Sequence, residues 1–121
     1  SVYSVEAVIA EKIEAMVRFG ALNTRLKDYF DLYVLATELT IDGARLSNQF
    51  AQTFQRRNTP IPVGEAVGLS DAFARDPERN ARWRAFLERT GAAASAPANF
   101  PEVVERIRGL VLAPLEAARN A

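Results

Sequence analysis

The sequence predicts an all-α fold of about five helices around one core, with an antiparallel helical hairpin formed by the first two. Apolar residues recur at helical rather than alternating spacing along each regular stretch. Capping residues stand in front of those stretches (Ser4, Thr24, Asp42, Ser70, Asp76) and glycine closes two of them, at Gly20 and Gly91. Nothing in the chain reads as a sheet, and there is no internal repeat.

Taken in order, Ser4 caps a first helix over Val5–Phe19, which Gly20 ends. A connection from Gly20 to Asn23 is short enough to make the next helix an antiparallel neighbour. Thr24 caps that second helix, about Arg25 to Leu39. Asp42 caps a third, running to about Arg56, with Ile41 and Leu46 as a hydrophobic staple and Leu46, Phe50, Thr53 and Phe54 facing inward. Pro60, Pro62 and Gly64 forbid regular helix from Asn58 to Gly68, so an extended surface loop is expected there. Ser70 caps a single turn through Ala74. Asp76-Pro77 opens a fourth helix to about Arg89, with Trp83, Phe86 and Leu87 inward and Gly91 as its stop. Ala92–Ala98 is small-residue and unpatterned, as in a linker or mobile loop. Pro101 opens the last helix, whose stripe is Val103, Val104, Ile107, Leu110, Val111, Leu115 and Ala118. Pro114 falls on that stripe and should bend the helix or end its regular part.

Composition narrows the chemistry. At 121 residues, 49% hydrophobic and 25% charged, the chain is an ordinary globular domain with room for one core. No apolar run approaches the roughly 20 residues that span a bilayer. With neither cysteine nor histidine, the segment cannot build a usual zinc site, a Ser-His-Asp triad or a Cys-His nucleophile. The absence of cysteine is compatible with a cytoplasmic setting. Net charge is zero, split as −2 over residues 1–40 and +2 over residues 41–90. That is not the broad basic excess of a stand-alone nucleic-acid binder.

The unusual residues lie between Ala10 and Asp31. Only two of the 15 basic residues are lysines, Lys12 and Lys27, and both are here. A lysine kept against such an arginine bias is wanted for its compact ammonium. At about 100° per residue, Val5, Val8, Ile9, Ile13, Met16 and Phe19 share an arc with Lys12 at its middle, while Glu11, Glu14 and Arg18 lie opposite. A lysine centred on an apolar face must be paired, snorkelling or functional. On the second helix the apolar arc holds Tyr29, Leu32, Tyr33, Leu35, Ala36 and Leu39, yet Arg25 and Asp28 project into it. Arg25 and Asp28 are three apart and can pair; Asp28 and Asp31, also three apart, lean to one side. Lys12, Arg25, Asp28 and Asp31 are therefore expected to converge where the helices meet. Geometry alone leaves two readings open, a salt-bridge cluster stitching a hairpin and a functional site.

The motif resembles the C-terminal half of the AbiEii/AbiGii family of abortive-infection nucleotidyltransferase toxins. That family carries an Ala-Glu-Lys helix followed by an Arg-x-Lys-Asp-x-x-Asp-Leu helix, which Ala10–Lys12 and Arg25–Leu32 match position by position. Thr59-Pro60, Pro62, Phe73, Trp83-x-x-Phe86 and Pro114-Leu115 follow the same layout. The resemblance implies a toxin–antitoxin or phage-defence enzyme that transfers a nucleotide from a nucleoside triphosphate (NTP) to an acceptor, tRNA for some members. It implies Lys12, Asp28 and Asp31 as catalytic residues, Lys12 on the triphosphate and Asp28 or Asp31 orienting Lys12 or supporting the metal site of an upstream domain. It also implies Lys12 and, as second choices, Arg25 and Lys27 as nucleotide contacts. Members carry an upstream domain with a Gly-Ser turn and an Asp-x-Asp metal pair; this chain contains neither, and begins at Ser1. The expectation is thus the C-terminal helical domain of a longer enzyme, residues 1–121, inactive alone. Mg2+ and NTP are implied for the full-length protein, with no cofactor or metal ligand in this segment. Implied partners are the upstream domain, a cognate antitoxin and tRNA, with no membrane and room for a homodimer. The alternative is a non-catalytic helical module that binds an antitoxin or dimerises.

Other conspicuous residues have plainer explanations. Arg75, Arg79, Arg82, Arg84 and Arg89 are offset by Asp76, Glu78 and Glu88, as on a solvated salt-bridged face. Arg56-Arg57 suits the negative end of a helix dipole. Trp83 and Phe86 read as core, and Tyr29 and Tyr33 as packing residues with a polar tip.

Overall fold

The apolar stripes come together around the C-terminal helix. The computed structural model describes residues 4–22 and 25–121, and among these the structure is all helix, with six α-helices and no strand. They are α1 (Val5–Phe19), α2 (Leu26–Glu38), α3 (Gly43–Arg56), α4 (Asp71–Arg75), α5 (Pro77–Thr90) and α6 (Phe100–Asn120). The long α6 packs on α2, α3 and α4, while α1 lies chiefly against α3. One hydrophobic cluster runs from Ile9 on α1 through Tyr29, Phe50, Phe73 and Trp83 to Ala118 on α6. The expected pairing of α1 with α2 is not a main packing unit, because the two helices meet over a short contact and each packs more extensively against a third.

Local chemistry sets most boundaries. The Ser4 hydroxyl accepts from Ala7 N at 3.1 Å, and Gly20 closes α1 with a positive φ of 57°. The Asp42 carboxylate accepts from Ala44 N and Arg45 N; Ser70, Asp76 and Asn99 cap α4, α5 and α6 in the same way. Gly91 ends α5 in the left-handed conformation. The cap expected from Thr24 lies outside the described residues; α2 begins after Arg25, which makes no side-chain cap bond. The turn expected after Ser70 is a five-residue helix, which raises the count to six.

Of the two outcomes expected at Pro114, ending the regular part of α6 does not occur, since the helix continues to Asn120; Leu115 and Ala118 beyond it are buried against the core and hold the last turns in place. Nor is Ala92–Ala98 loose throughout. Ala96 is buried, and the Trp83 indole N–H donates to the Pro97 carbonyl at 2.8 Å, so the indole gains its partner only if the segment packs down.

The loop after α3 ends inside the molecule. Gly68 is buried, its carbonyl accepting from the Tyr29 hydroxyl at 2.7 Å. A Cβ at Gly68 would lie 2.7 Å from Met16 Cγ and 2.8 Å from Tyr29 Oη, so any other residue requires one of those side chains to shift. Tyr29 also packs on Phe73 and Phe100, with ring centroids 5.7 and 5.1 Å away.

Candidate functional site

The motif residues meet where α1 and α2 touch. Lys12 Nζ lies 2.9 Å from Asp28 Oδ1 and 3.2 Å from Asp31 Oδ2. Asp28 turns its other oxygen to Arg25 Nε at 2.9 Å, and Asp31 receives Lys27 Nζ at 3.0 Å. Each carboxylate therefore serves two cations and Lys12 bridges the pair. Arg25 and Asp28 are three apart on α2, Lys27 and Asp31 four apart, so helical geometry assembles those pairs locally. Lys12 arrives from the other helix.

Lys12 does not sit at the middle of the buried arc. The buried face of α1 is Ile9, Ala10, Ile13, Glu14, Ala15 and Met16, while Val8 is half-buried and Phe19 exposed. This face is rotated toward α3, the main partner of α1, which moves Lys12 to its rim with 22% of its side chain exposed. Asp28 is buried at 6%. Burial by itself would lower the Lys12 pKa, but the hydrogen bonds and charges of Asp28 and Asp31 outweigh it and raise it. Lys12 is thus held as an ammonium.

Beside the cluster, an open groove of about 340 Å³ runs along α1. Lys12, Arg18, Arg25 and Arg57 line it, together with Glu11, Glu14 and the small or apolar Ala7, Val8 and Ala15. Glu11 joins α1 to the end of α3, receiving Arg56 Nη2 and Arg57 Nη2 at 2.8 Å each. The hydrogen bond from Arg57, with the charges of both arginines, outweighs the opposing effect of burial and lowers the Glu11 pKa. Arg56 and Arg57 thus serve a specific partner in addition to the helix dipole.

Glu14 differs most from expectation. Placed by the helical arc on the solvent side of α1, it is 1% exposed. Its carboxylate accepts from Arg18 Nε at 3.0 Å, Arg18 Nη2 at 3.2 Å and the Thr59 hydroxyl at 2.7 Å. Burial pushes its pKa up, but the Arg18 and Thr59 hydrogen bonds prevail and hold it below the usual carboxylate value. The four-residue spacing of Glu14 and Arg18 was a legible signal of a pair. The loop residue that buries it, 45 positions away, had no counterpart in the pattern.

The remaining arginines form the expected salt-bridged face, at least in part: Arg82 pairs with Glu78, and Arg79 stacks 3.5 Å from the Phe73 ring centroid while donating to the Phe73 carbonyl. Trp83 and Phe86 are core, as is Tyr29 with its hydroxyl satisfied. No group of three or more acidic side chains is placed to hold a metal among the described residues. Asp28 and Asp31, each already engaged by two cations, do not fit as magnesium ligands. The charged lining of the groove itself is four cations and two carboxylates. No helix among the described residues is long and apolar enough to cross a membrane.

The all-helical scaffold thus presents a lysine bridged between two aspartates at the edge of a groove lined by both cations and carboxylates. The chain belongs to the family described as nucleotidyl transferase AbiEii toxin, type IV toxin–antitoxin system, whose model matches residues 1–106. The match takes in Ala10–Lys12 and Arg25–Leu32 and stops before Pro114-Leu115. Membership makes this a chain of a nucleotidyltransferase-type toxin family, for which an antitoxin is the implied partner. No curated protein and no solved structure matches it.

Proposed function

We propose that this chain is the helical part of a toxin that transfers a nucleotide from an NTP to an acceptor such as tRNA, and that Lys12 contacts the triphosphate. The observation that carries the reading is the Lys12 ammonium, fixed by Asp28 and Asp31 at the groove rim within the family match. An ammonium has three donors. The two aspartates take two and leave one N–H for a phosphate oxygen. An NTP supplies the electrophilic phosphorus and a pyrophosphate leaving group, and a fixed cation nearby stabilises the charge that develops there. Asp28 and Asp31 orient Lys12, while Arg25 and Lys27 hold those carboxylates and add positive potential. Because neither aspartate is available to a metal, Mg2+ would be held by acidic residues of a separate nucleotidyltransferase domain, and residues 1–121 alone would not catalyse transfer.

The test joins this chain to a nucleotidyltransferase domain bearing an Asp-x-Asp pair and follows labelled NTP into tRNA. Lys12→Ala and Asp31→Asn should abolish transfer and cellular toxicity while leaving the protein folded. Full transfer and toxicity in Lys12→Ala would sink this assignment and leave the antitoxin-binding or dimerising module as the better account.

A further inference from the structure

A second cation in the same groove is also held in place, and the motif does not include it. Arg18 is fixed on two sides. Its Nε and Nη2 donate to the buried Glu14 carboxylate at 3.0 and 3.2 Å, and its guanidinium carbon lies 4.9 Å from the Phe19 ring centroid. Glu14 is itself anchored by the Thr59 hydroxyl at 2.7 Å. Arg18 nevertheless stays 44% exposed and lines the groove with Lys12, Arg25 and Arg57. Its third nitrogen, Nη1, has no hydrogen-bond partner among the described residues.

Simple pairing does not explain this arrangement. An exposed arginine needs no buried partner, and a carboxylate almost wholly removed from water is costly unless several donors satisfy it. Here a buried acid, a loop hydroxyl and an aromatic ring all restrict one guanidinium whose remaining edge is left open. A guanidinium oriented in advance loses little freedom on binding an oxyanion and offers directed hydrogen bonds to it.

We propose that Arg18 is a phosphate-binding residue of the groove and that Glu14 is its positioning residue, the pair taking an oxyanion of the polyphosphate chain next to Lys12. The inference rests on the nucleotide reading of this groove and adds to it a residue outside the motif. Charge and geometry make opposite predictions at Glu14. Removing a negative charge from the lining should strengthen anion binding if only potential matters. If Glu14 acts by orienting Arg18, the same change should weaken it.

Calorimetric titration of the chain with inorganic tripolyphosphate at low salt decides between them, with thermal midpoints recorded for each variant. Arg18→Lys keeps the charge and a partner for Glu14 but loses the fixed fork, and should weaken binding by about tenfold. Glu14→Gln should also weaken it, despite the more positive groove. Either variant binding as tightly as the unmodified chain, or more tightly, overturns the proposal, as does absence of tripolyphosphate binding by the unmodified chain. Should Glu14→Gln fail to fold, Arg18→Lys decides alone. Lys12→Ala separates the two readings. Loss of affinity there with none in Arg18→Lys removes only the role of Arg18; the converse removes the role of Lys12 and keeps that of Arg18.

Discussion

At the scale of single residues, a charged group is best understood from what would be left behind if it were removed. Deleting one member of a buried ion pair ordinarily costs about 3–5 kcal/mol, because the other charge is stranded. Asp28 would not be stranded by loss of Lys12, since Arg25 still reaches it at 2.9 Å. Lys12→Ala should therefore cost only about 1 kcal/mol in urea unfolding, close to the value of a partly exposed pair. A loss of several kcal/mol would make Lys12 a structural residue. Glu14 should carry acid sensitivity. Its folded pKa lies below the ordinary 4.5, so its contribution is present above that pH and fades as pH falls through the lower folded value. Glu11 adds to the same limb, because its pKa is also lowered. Urea midpoints measured downward from pH 5 should fall less steeply in Glu14→Gln than in the unmodified chain; equal slopes would place the acid sensitivity elsewhere. The convergence of Lys12 with the aspartates could be read from two helical arcs, because those pairings follow from spacing. Burial of Glu14 could not, because an apolar pattern carries no record of which polar residue a distant loop will cover.

Among the elements, caps and breakers were the dependable guide. The Val5–Phe19 helix has the expected bounds, and α3 and α5 end within a residue of expectation, because each boundary is a local hydrogen bond or a positive φ. Packing partners were less legible. Short connections suggested a hairpin, whereas α1 spends most of its surface on α3, since the rotated face of Ile9, Ile13 and Met16 finds its apolar complement there. The loop end at Gly68 supplies the sharpest test at this scale. Gly68→Ala would push a methyl within 3 Å of Met16 and Tyr29 and should destabilise by about 1–3 kcal/mol in urea unfolding. Tyr29→Phe should cost about 1 kcal/mol, by leaving the Gly68 carbonyl without its buried donor. A neutral Gly68→Ala would mean that the flexible Met16 gives way and the contact is not binding on the fold.

Across the whole molecule, a single apolar cluster links α1 to the last turns of α6. No boundary divides the helices into independent groups, so unfolding should be one cooperative transition. Trp83 fluorescence and far-UV circular dichroism should lose signal at the same urea concentration; separate midpoints would reveal a subdomain. Arg108 adds a polar tie to this cluster, joining α6 to Glu65 at 2.8 Å and Asp71 at 3.2 Å.

The hydrogen bond between Tyr29 and Gly68 makes the motif helix answer to the middle of the chain. Tyr29 is the immediate neighbour of Asp28, and the carbonyl it holds lies 39 positions further on. The helix that carries Asp28 is therefore tied, one residue along, to a backbone carbonyl in the second half of the sequence. Variation at Ala66 to Leu69 would act on the packing of Tyr29, next to Asp28, without touching a charged residue.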